Sequence, residues 1–268
     1  MSSDLFDRPA MLFLPASRES AVARARQSAA DIVVLDLEDA VRDEDKEAAR
    51  QAAIEAVAEP WKMPVLIRIN GTSSEHHGAD LAAVLHCPVR RVIVPSVRTA
   101  EELHGVMRIV GQPVAAMIET AAAVMNVREI AKEAMALIVG TNDLAAELRL
   151  PPGAGRESLI AALQIVVLAG RAAGKPVFDG VFNRLDDEQG FAAEAAEGRS
   201  LGFDGKSLIH PDQIAPCHAA FAPTDEEIER AERLVAAATG GAERFEGEMV
   251  EAMHVETARR LLARASRS

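Results

Sequence analysis

The chain has 268 residues, 49% hydrophobic and 26% charged, which supplies apolar material for one large core and argues against disorder. Its 41 acidic against 29 basic residues give a net charge of -12, which opposes attraction to a nucleic-acid backbone or an anionic membrane. Eight Phe, one Trp and no Tyr disfavour recognition by aromatic stacking, so the expected partner is a small polar molecule held by backbone and charge.

No apolar run approaches the roughly 20 residues of a bilayer span. The first segment, MSSDLFDRPAM, carries acids where a secretory leader carries basic residues, so a cytoplasmic location is expected. Cys87 and Cys217 stand in no CxxC or Cys/His cluster; neither a disulfide framework nor a zinc site is supported, and both read as small buried hydrophobes.

Eight short apolar runs follow in order: MLFLP (11–15), DIVVLDLE (31–38), PVLIRIN (64–70), RVIVPSV (91–97), PVAAMIE (113–119), ALIVGTND (136–143), KPVFDGV (175–181) and GKSLIHP (205–211). Most are continuously apolar, as parallel strands covered on both faces require, and Ala-rich stretches with helical spacing separate them. This rhythm predicts an α/β fold, a TIM-type (β/α)8 barrel, over residues 1–221. An open dinucleotide-binding sheet would want a GxGxxG turn after its first strand, and none is present. Residues 222–268 form a C-terminal helical extension of two amphipathic helices, TDEEIERAERLVAAA and GEMVEAMHVETARRLLARA, expected to act as a lid or to pack on a neighbouring subunit.

Several side chains could carry chemistry. The first unit offers Arg18, Arg24 and Arg26, placed either to meet phosphates of a larger cofactor or to keep a helix face solvated. In DLED, Asp36 and Glu38 share a strand face beside Asp39; so much negative charge calls for a cation or an arginine, and the acids are expected to bind waters around a metal. Arg68 ends the third run, where a guanidinium must be paired: with a substrate carboxylate, with the DLED acids, or with both.

Glu119 and Asp143 close neighbouring runs one βα repeat apart, which puts two carboxylates on the rim where barrels do chemistry. Together they suit a hard cation such as Mg²⁺; singly, each suits a helix start. Backbone N–H groups at Gly140 and Thr141 are placed to hold a substrate carboxylate beside the metal. In the last run, Lys206 lies in polar DGKS, which disfavours a Schiff base, and His210 reads more as a packed residue than as a base.

In order, LFLPASR (12–18), DIVVLDLEDAV (31–41), RIN (68–70), MIETAAAVMN (117–126), GTNDL (140–144) and GFDGKSLIHPDQI (202–214) resemble the citrate lyase β-subunit family, the CitE-like branch of the HpcH/HpaI aldolases. The resemblance covers almost the whole chain. It implies a TIM barrel whose C-terminal helices cross to neighbours in trimers or hexamers, hence a homo-oligomer. It also implies a Mg²⁺-dependent carbon–carbon lyase acting on 3-hydroxyacyl-CoA thioesters such as citryl-CoA, malyl-CoA and citramalyl-CoA, with a keto acid and a CoA thioester as partners.

By motif, Glu119 and Asp143 match the metal ligands, Arg68 the residue that grips the keto acid, and Glu38 and Asp39 the outer acids. Two departures stand out. Ser96 follows Pro95 where the family commonly has Lys, and GEMVEAMH places Glu251 and Met253 where malyl-CoA and citramalyl-CoA lyases resemble G-x-M-V-D-x-P. Glu251 retains a carboxylate one methylene longer, a candidate proton donor to a neighbour's site. The rival readings are a CoA-independent pyruvate aldolase and a catalytically weakened keto-acid-binding subunit.

Overall fold

A computed structural model describes residues 5–88 and 91–266; the first residues of the acidic MSSDLFDRPAM segment lie outside them. The chain divides into two compact units, the first ending at Ala220 and the second beginning at Phe221. Among the described residues no helix is long and apolar enough to cross a membrane.

The first unit alternates strands and helices: β1 (Ala10–Pro15), α1 (Glu19–Gln27), β2 (Ile32–Asp36), α2 (Lys46–Ala58), β3 (Val65–Arg68), α3 (His77–Leu85), β4 (Val92–Val94) and α4 (Ala100–Val110). It continues with β5 (Ala115–Ile118), α5 (Ala121–Glu133), β6 (Leu137–Val139), α6 (Thr141–Glu147), α7 (Ile160–Ala173), β7 (Val177–Asp179), α8 (Glu188–Leu201), β8 (Gly205–Leu208) and α9 (Ile214–Phe221). Every strand pairs in parallel with the next and β8 returns to β1, closing the eight-stranded α/β barrel. All eight predicted runs are strands.

The sequence accounts for where the helices start and stop. Thr99, Thr120 and Asp187 accept N–H bonds from the first turns of α4, α5 and α8, while Gly111, Gly174 and Gly202 end α4, α7 and α8 with φ of +67°, +65° and +98°. Inside the barrel, Met11, Ile32, Val34, Leu66, Ile93, Met117, Ile138 and Phe178 pack as one apolar plug, with Ala115 and Ala136 making room for the larger side chains.

The sixth run is shorter than expected: β6 ends at Val139, and Asp143 falls in the first turn of α6. Gly140 breaks the strand, and the polar residues after it favour a helix start.

Lys206 corrects an expectation. Its DGKS neighbourhood reads as polar, yet the side chain is fully buried behind the sheet, with Nζ 3.0 Å from Asp179 Oδ2, 2.7 Å from Glu194 Oε1 and 2.7 Å from the Gly180 carbonyl. Arg156 joins the cluster through Asp179 at 2.8 Å and Glu197 at 2.7 Å, which pins the long α6–α7 loop against β7 and α8. Cys87 and Cys217 are free and buried, as expected.

His218 on α9 tethers the barrel base, its Nε2 2.8 Å from Asp31 Oδ2, an oxygen that also accepts the Ala10 N–H. The bond to Asp31 raises the His218 pKa against a smaller opposing effect of burial. A raised imidazole pKa stabilises the fold fully below the ordinary histidine value of about 6.5 and loses that contribution as pH climbs through the folded-state pKa. His218→Gln is expected to flatten a shallow decline in thermal stability on the alkaline side of that value, as measured by melting curves across pH; an unchanged pH profile would exclude this role.

The second unit comprises α10 (Asp225–Ala237), a hairpin of β9 (Glu243–Phe245) with β10 (Glu248–Val250), and α11 (Ala252–Ala265). Ala231, Leu234, Val250 and Ala258 form its small core. The hairpin departs from expectation, because GEMVE reads as the start of the last helix. Glu246 and Gly247 both have positive φ, +49° and +91°, as a tight two-residue hairpin turn requires, and this delays the helix to Ala252.

Candidate active site

A polar layer caps the apolar plug at the C-terminal ends of the strands. Asp36 ends β2 and Arg68 ends β3 in register with it. The guanidinium donates from Nε to Asp36 Oδ1 at 2.7 Å and from Nη2 to Asp36 Oδ2 at 2.6 Å, and Nη1 reaches Asp39 at 3.2 Å and Glu38 at 2.9 Å. Asp36 also accepts the Glu38 and Ala40 N–H groups, so both of its oxygens are saturated. It anchors Arg68 and has no acceptor left for metal-bound water, which narrows the expectation made for the three acids to Glu38 and Asp39.

Asp36 occupies one edge of Arg68. On the remaining edge, Nη1 with Nη2, Nη1 meets Glu38, Asp39 and the weak acceptor Met117 Sδ at 3.7 Å, and this is the edge that a substrate carboxylate would share with them.

The loop carrying Glu38 and Asp39 is clamped from below by residues the sequence reading passed over. Lys46 Nζ donates to the Leu37 and Glu38 carbonyls at 2.9 and 2.7 Å and to Asn70 Oδ1 at 2.8 Å. Asn70 is held in turn by buried Asp80, which pairs with Arg50 at 2.9 Å. The Asn of RIN and the Lys opening α2 were visible signals, but nothing local says that they meet.

Burial pushes the Glu38 carboxyl up to about 8, against the pull of Arg68 and with help from Asp39, Glu119 and Asp36. One guanidinium cannot keep three crowded acids ionised, so Glu38 gains and loses its proton near neutrality.

Glu119 follows β5 and is only 3% exposed. It is not a helix cap; Thr120 fills that role for α5. Ser96 after β4 holds it, donating from N–H at 2.5 Å and from Oγ at 3.1 Å to Oε1. Ser96 adopts a left-handed φ of +51°, a conformation that strains a non-glycine residue by about 1–3 kcal/mol and is typical of functional sites. Thus the position where the resemblance leads one to expect a lysine presents two donors to the carboxylate.

Gly140 lies against the other oxygen: a Cβ there would overlap both Oε2 and Cβ of Glu119. Its N–H is committed to the Ile118 carbonyl at 3.1 Å, so the part of Gly140 is to make room, and it has no donor left for a substrate.

Burial is the main cause that raises the Glu119 pKa, and the charge of Asp143 raises it further. Asp143 is likewise raised, first by burial and then by Asp39. Neighbouring acids whose charges disfavour one another, Glu119 buried and Asp143 exposed at the rim, fit a cation between them. Among the described residues no group of three or more His, Cys, Asp or Glu side chains is arranged to hold a metal. Two carboxylates, completed by water and substrate oxygens, are nevertheless the set that Mg²⁺ commonly takes. Gly140→Ala should weaken Mg²⁺ binding by about 10–100-fold through displacement of Glu119. Titration calorimetry on the folded variant checks this, and unchanged affinity would refute it.

A cavity of about 300 Å³ opens over this layer, lined by Asp36, Asp39, Arg68, Met117 and the Gly140–Asp143 segment on one side and by Phe13, Val181, Ser207 and Ile209 on the other. Thr141, largely buried, packs its side chain against Gly180 at this wall. Asn142 and Asn183 exchange amide hydrogen bonds of 2.7 and 3.3 Å at the mouth.

Glu38 and Glu119 sit behind the lining residues, and three further candidates are not part of this layer. Arg18 is exposed ahead of α1, and Glu251 is exposed between β10 and α11 in the second unit. His210 caps the turn before α9, accepting the Asp212 N–H at 3.3 Å. Arg26 serves structure as well, bonded to the Ala56 and Pro60 carbonyls and stacked on Trp61. At the opposite rim a broader depression of about 950 Å³ beside Trp61 and Arg91 contains Glu59 as its one acid and no carboxylate pair.

Comparison with known proteins agrees with this geometry. The family model described as HpcH/HpaI aldolase/citrate lyase matches residues 9–211. The chain is 38% identical to a (3S)-malyl-CoA thioesterase of Cereibacter sphaeroides (strain ATCC 17029), over 95% of this chain and 93% of that protein. It is 31% identical to the citrate lyase subunit beta of Escherichia coli (strain K12), over 97% and 94%. Among solved structures, protein CitE from Mycobacterium tuberculosis in complex with magnesium, acetoacetate and coenzyme A superposes with a TM-score of 0.88 at 31% identity, covering 96% of this chain and 98% of that one. The matched span, from the residue before β1 to the turn after β8, contains every side chain of the polar layer, and on these grounds the chain belongs to the HpcH/HpaI aldolase/citrate lyase family, in its CitE-like branch.

Proposed function

We propose that this protein is a Mg²⁺-dependent carbon–carbon lyase that cleaves a 3-hydroxyacyl-CoA thioester of the malyl-CoA, citramalyl-CoA or citryl-CoA type into acetyl-CoA and a keto acid. The carrying observation is buried Glu119 with Asp143 near enough for its charge to act on it, on the same side of a small rim cavity as Arg68, in a chain whose relative CitE was solved with magnesium, acetoacetate and coenzyme A. Magnesium, when bound, supplies Lewis acidity toward the substrate's carboxylate and hydroxyl oxygens.

The protein's own residues do the rest. Glu119 and Asp143 hold the cation, with Ser96 and Gly140 setting the direction of Glu119. The Nη1–Nη2 edge of Arg68, shared with Glu38 and Asp39, orients the keto-acid carboxylate while Asp36 keeps the guanidinium in place. Thr141 bounds the site next to Asp143. The proton of the substrate hydroxyl leaves to the Glu38–Asp39 side of the site as that oxygen becomes the keto oxygen. As the C–C bond breaks, its electron pair leaves on the acetyl carbon, which must then be protonated; Glu251, from the 222–268 arm of a neighbouring subunit, is the donor assigned here. This arrangement makes the working form a homo-oligomer, a trimer or hexamer.

A second reading, hydrolysis of the thioester, is favoured by the 38% identity to a (3S)-malyl-CoA thioesterase. Products separate the two. With malyl-CoA and Mg²⁺, a lyase yields acetyl-CoA and glyoxylate with no free thiol, whereas a thioesterase yields a CoA thiol and intact malate. Release of thiol alone would overturn the lyase reading, and acetyl-CoA formation undiminished by EDTA would overturn its Mg²⁺ dependence.

A further inference from the structure

Ser207 on β8 is 2% exposed, and its Oγ has no hydrogen-bond partner among the described residues. Side chains alternate along the strand. Lys206 faces Asp179 and Glu194 behind the sheet, so Ser207 faces the barrel interior, where it lines the small rim cavity. A buried hydroxyl left unpaired costs about 1–3 kcal/mol, so one kept inside a cavity wall points to a ligand that satisfies it.

Its surroundings define that ligand. The β3, β5 and β6 side of the cavity carries Arg68 and the carboxylates and is taken up by the cation and the substrate carboxylate. The β8 and β1 side offers Phe13, Leu14 and Ile209 with Ser207 as the single polar group. The substituent beyond the keto carbon has only this wall left. Arg68 is the one basic residue among the lining side chains, and three acids already engage it. A second carboxylate would therefore be left without a counter-charge, whereas a neutral oxygen would find a partner.

We infer that Ser207 is a specificity-determining residue whose hydroxyl hydrogen-bonds an uncharged oxygen on the carbon beyond the keto group, so that the site favours hydroxyl-bearing 2-oxo acids over alkyl ones. This rests on the keto-acid reading above.

Calorimetry of pyruvate, 3-hydroxypyruvate and oxaloacetate binding to the full chain with Mg²⁺ tests it. Wild type should bind 3-hydroxypyruvate more tightly than pyruvate. Ser207→Ala should cost 3-hydroxypyruvate about tenfold while leaving pyruvate within about twofold, and Ser207→Thr should recover part of the loss. Because no group among the described residues bonds to Oγ, Ser207→Ala should melt at or above the wild-type temperature; a lower melting point would mark a structural hydroxyl and count against the assignment. Equal losses for all three acids, no loss for any, or a loss confined to oxaloacetate would overturn the inference and leave the lyase reading standing. Wild-type protein that binds none of the three with Mg²⁺ would overturn both.

Discussion

Glu119→Gln abolishes catalysis while sparing the fold: that is the expected result of removing one carboxylate charge from the rim. Gln preserves the shape beneath Gly140 and can still accept the Ser96 N–H, but it supplies no charge to a divalent ion. Mg²⁺ affinity should fall by more than about 100-fold, beyond what losing an outer partner costs. Turnover should fall about 10³-fold, since the Lewis acid contributes several kcal/mol and each 1.4 kcal/mol is roughly tenfold. Burial and Asp143 already disfavour the charged form of Glu119, so the metal-free variant should be no less stable than wild type. Because both pKa values are raised, protons compete for Glu119 and Asp143 more strongly than for ordinary carboxylates, and Mg²⁺ affinity should weaken as pH falls. Calorimetric titrations across pH would follow the loss, and an affinity independent of pH would contradict it. A fully active Glu119→Gln enzyme would end the metal-site interpretation.

Lys206→Met should produce the largest loss of stability, about 3–5 kcal/mol, because deleting one partner of a buried ion cluster leaves the others uncompensated. Asp179 and Glu194 would then share Arg156 alone, on the very loop that closes this side of the barrel. Urea denaturation of the variant checks the magnitude. A midpoint equal to wild type would show that the cluster relaxes without cost. Because Lys206 faces away from the cavity, any variant that remains folded should keep its Mg²⁺ affinity, which distinguishes this loss from the effect of Glu119→Gln.

The barrel was legible because its signals are local. Eight continuous apolar runs, separated by Ala-rich stretches with caps such as Thr99, Thr120 and Asp187, specify buried parallel strands and their covering helices without long-range information. Glu119 and Arg68 were legible for a related reason: a charged residue ending an apolar strand has few ways to be accommodated, and both reside in the polar layer. Asp143 lines the rim cavity, but its local setting was not legible. It reads as the end of a strand and lies in a helical turn, because Gly140 ends the ladder three residues earlier. The hairpin before α11 was missed since Glu246 takes a positive φ that no residue preference announces.

Strand number, helix boundaries and the presence of rim acids therefore follow from the order of residues along the chain, where hydrophobic period and capping act over a few positions. What each rim group is free to do depends on partners brought together by barrel closure. Asp36 saturates itself on Arg68, Ser96 turns two donors onto Glu119, Lys46 clamps a loop that precedes it, and Lys206 is buried against acids from β7 and α8. Those contacts join residues far apart in sequence, and their charges are tolerable only at the distances and in the low dielectric that the closed sheet creates.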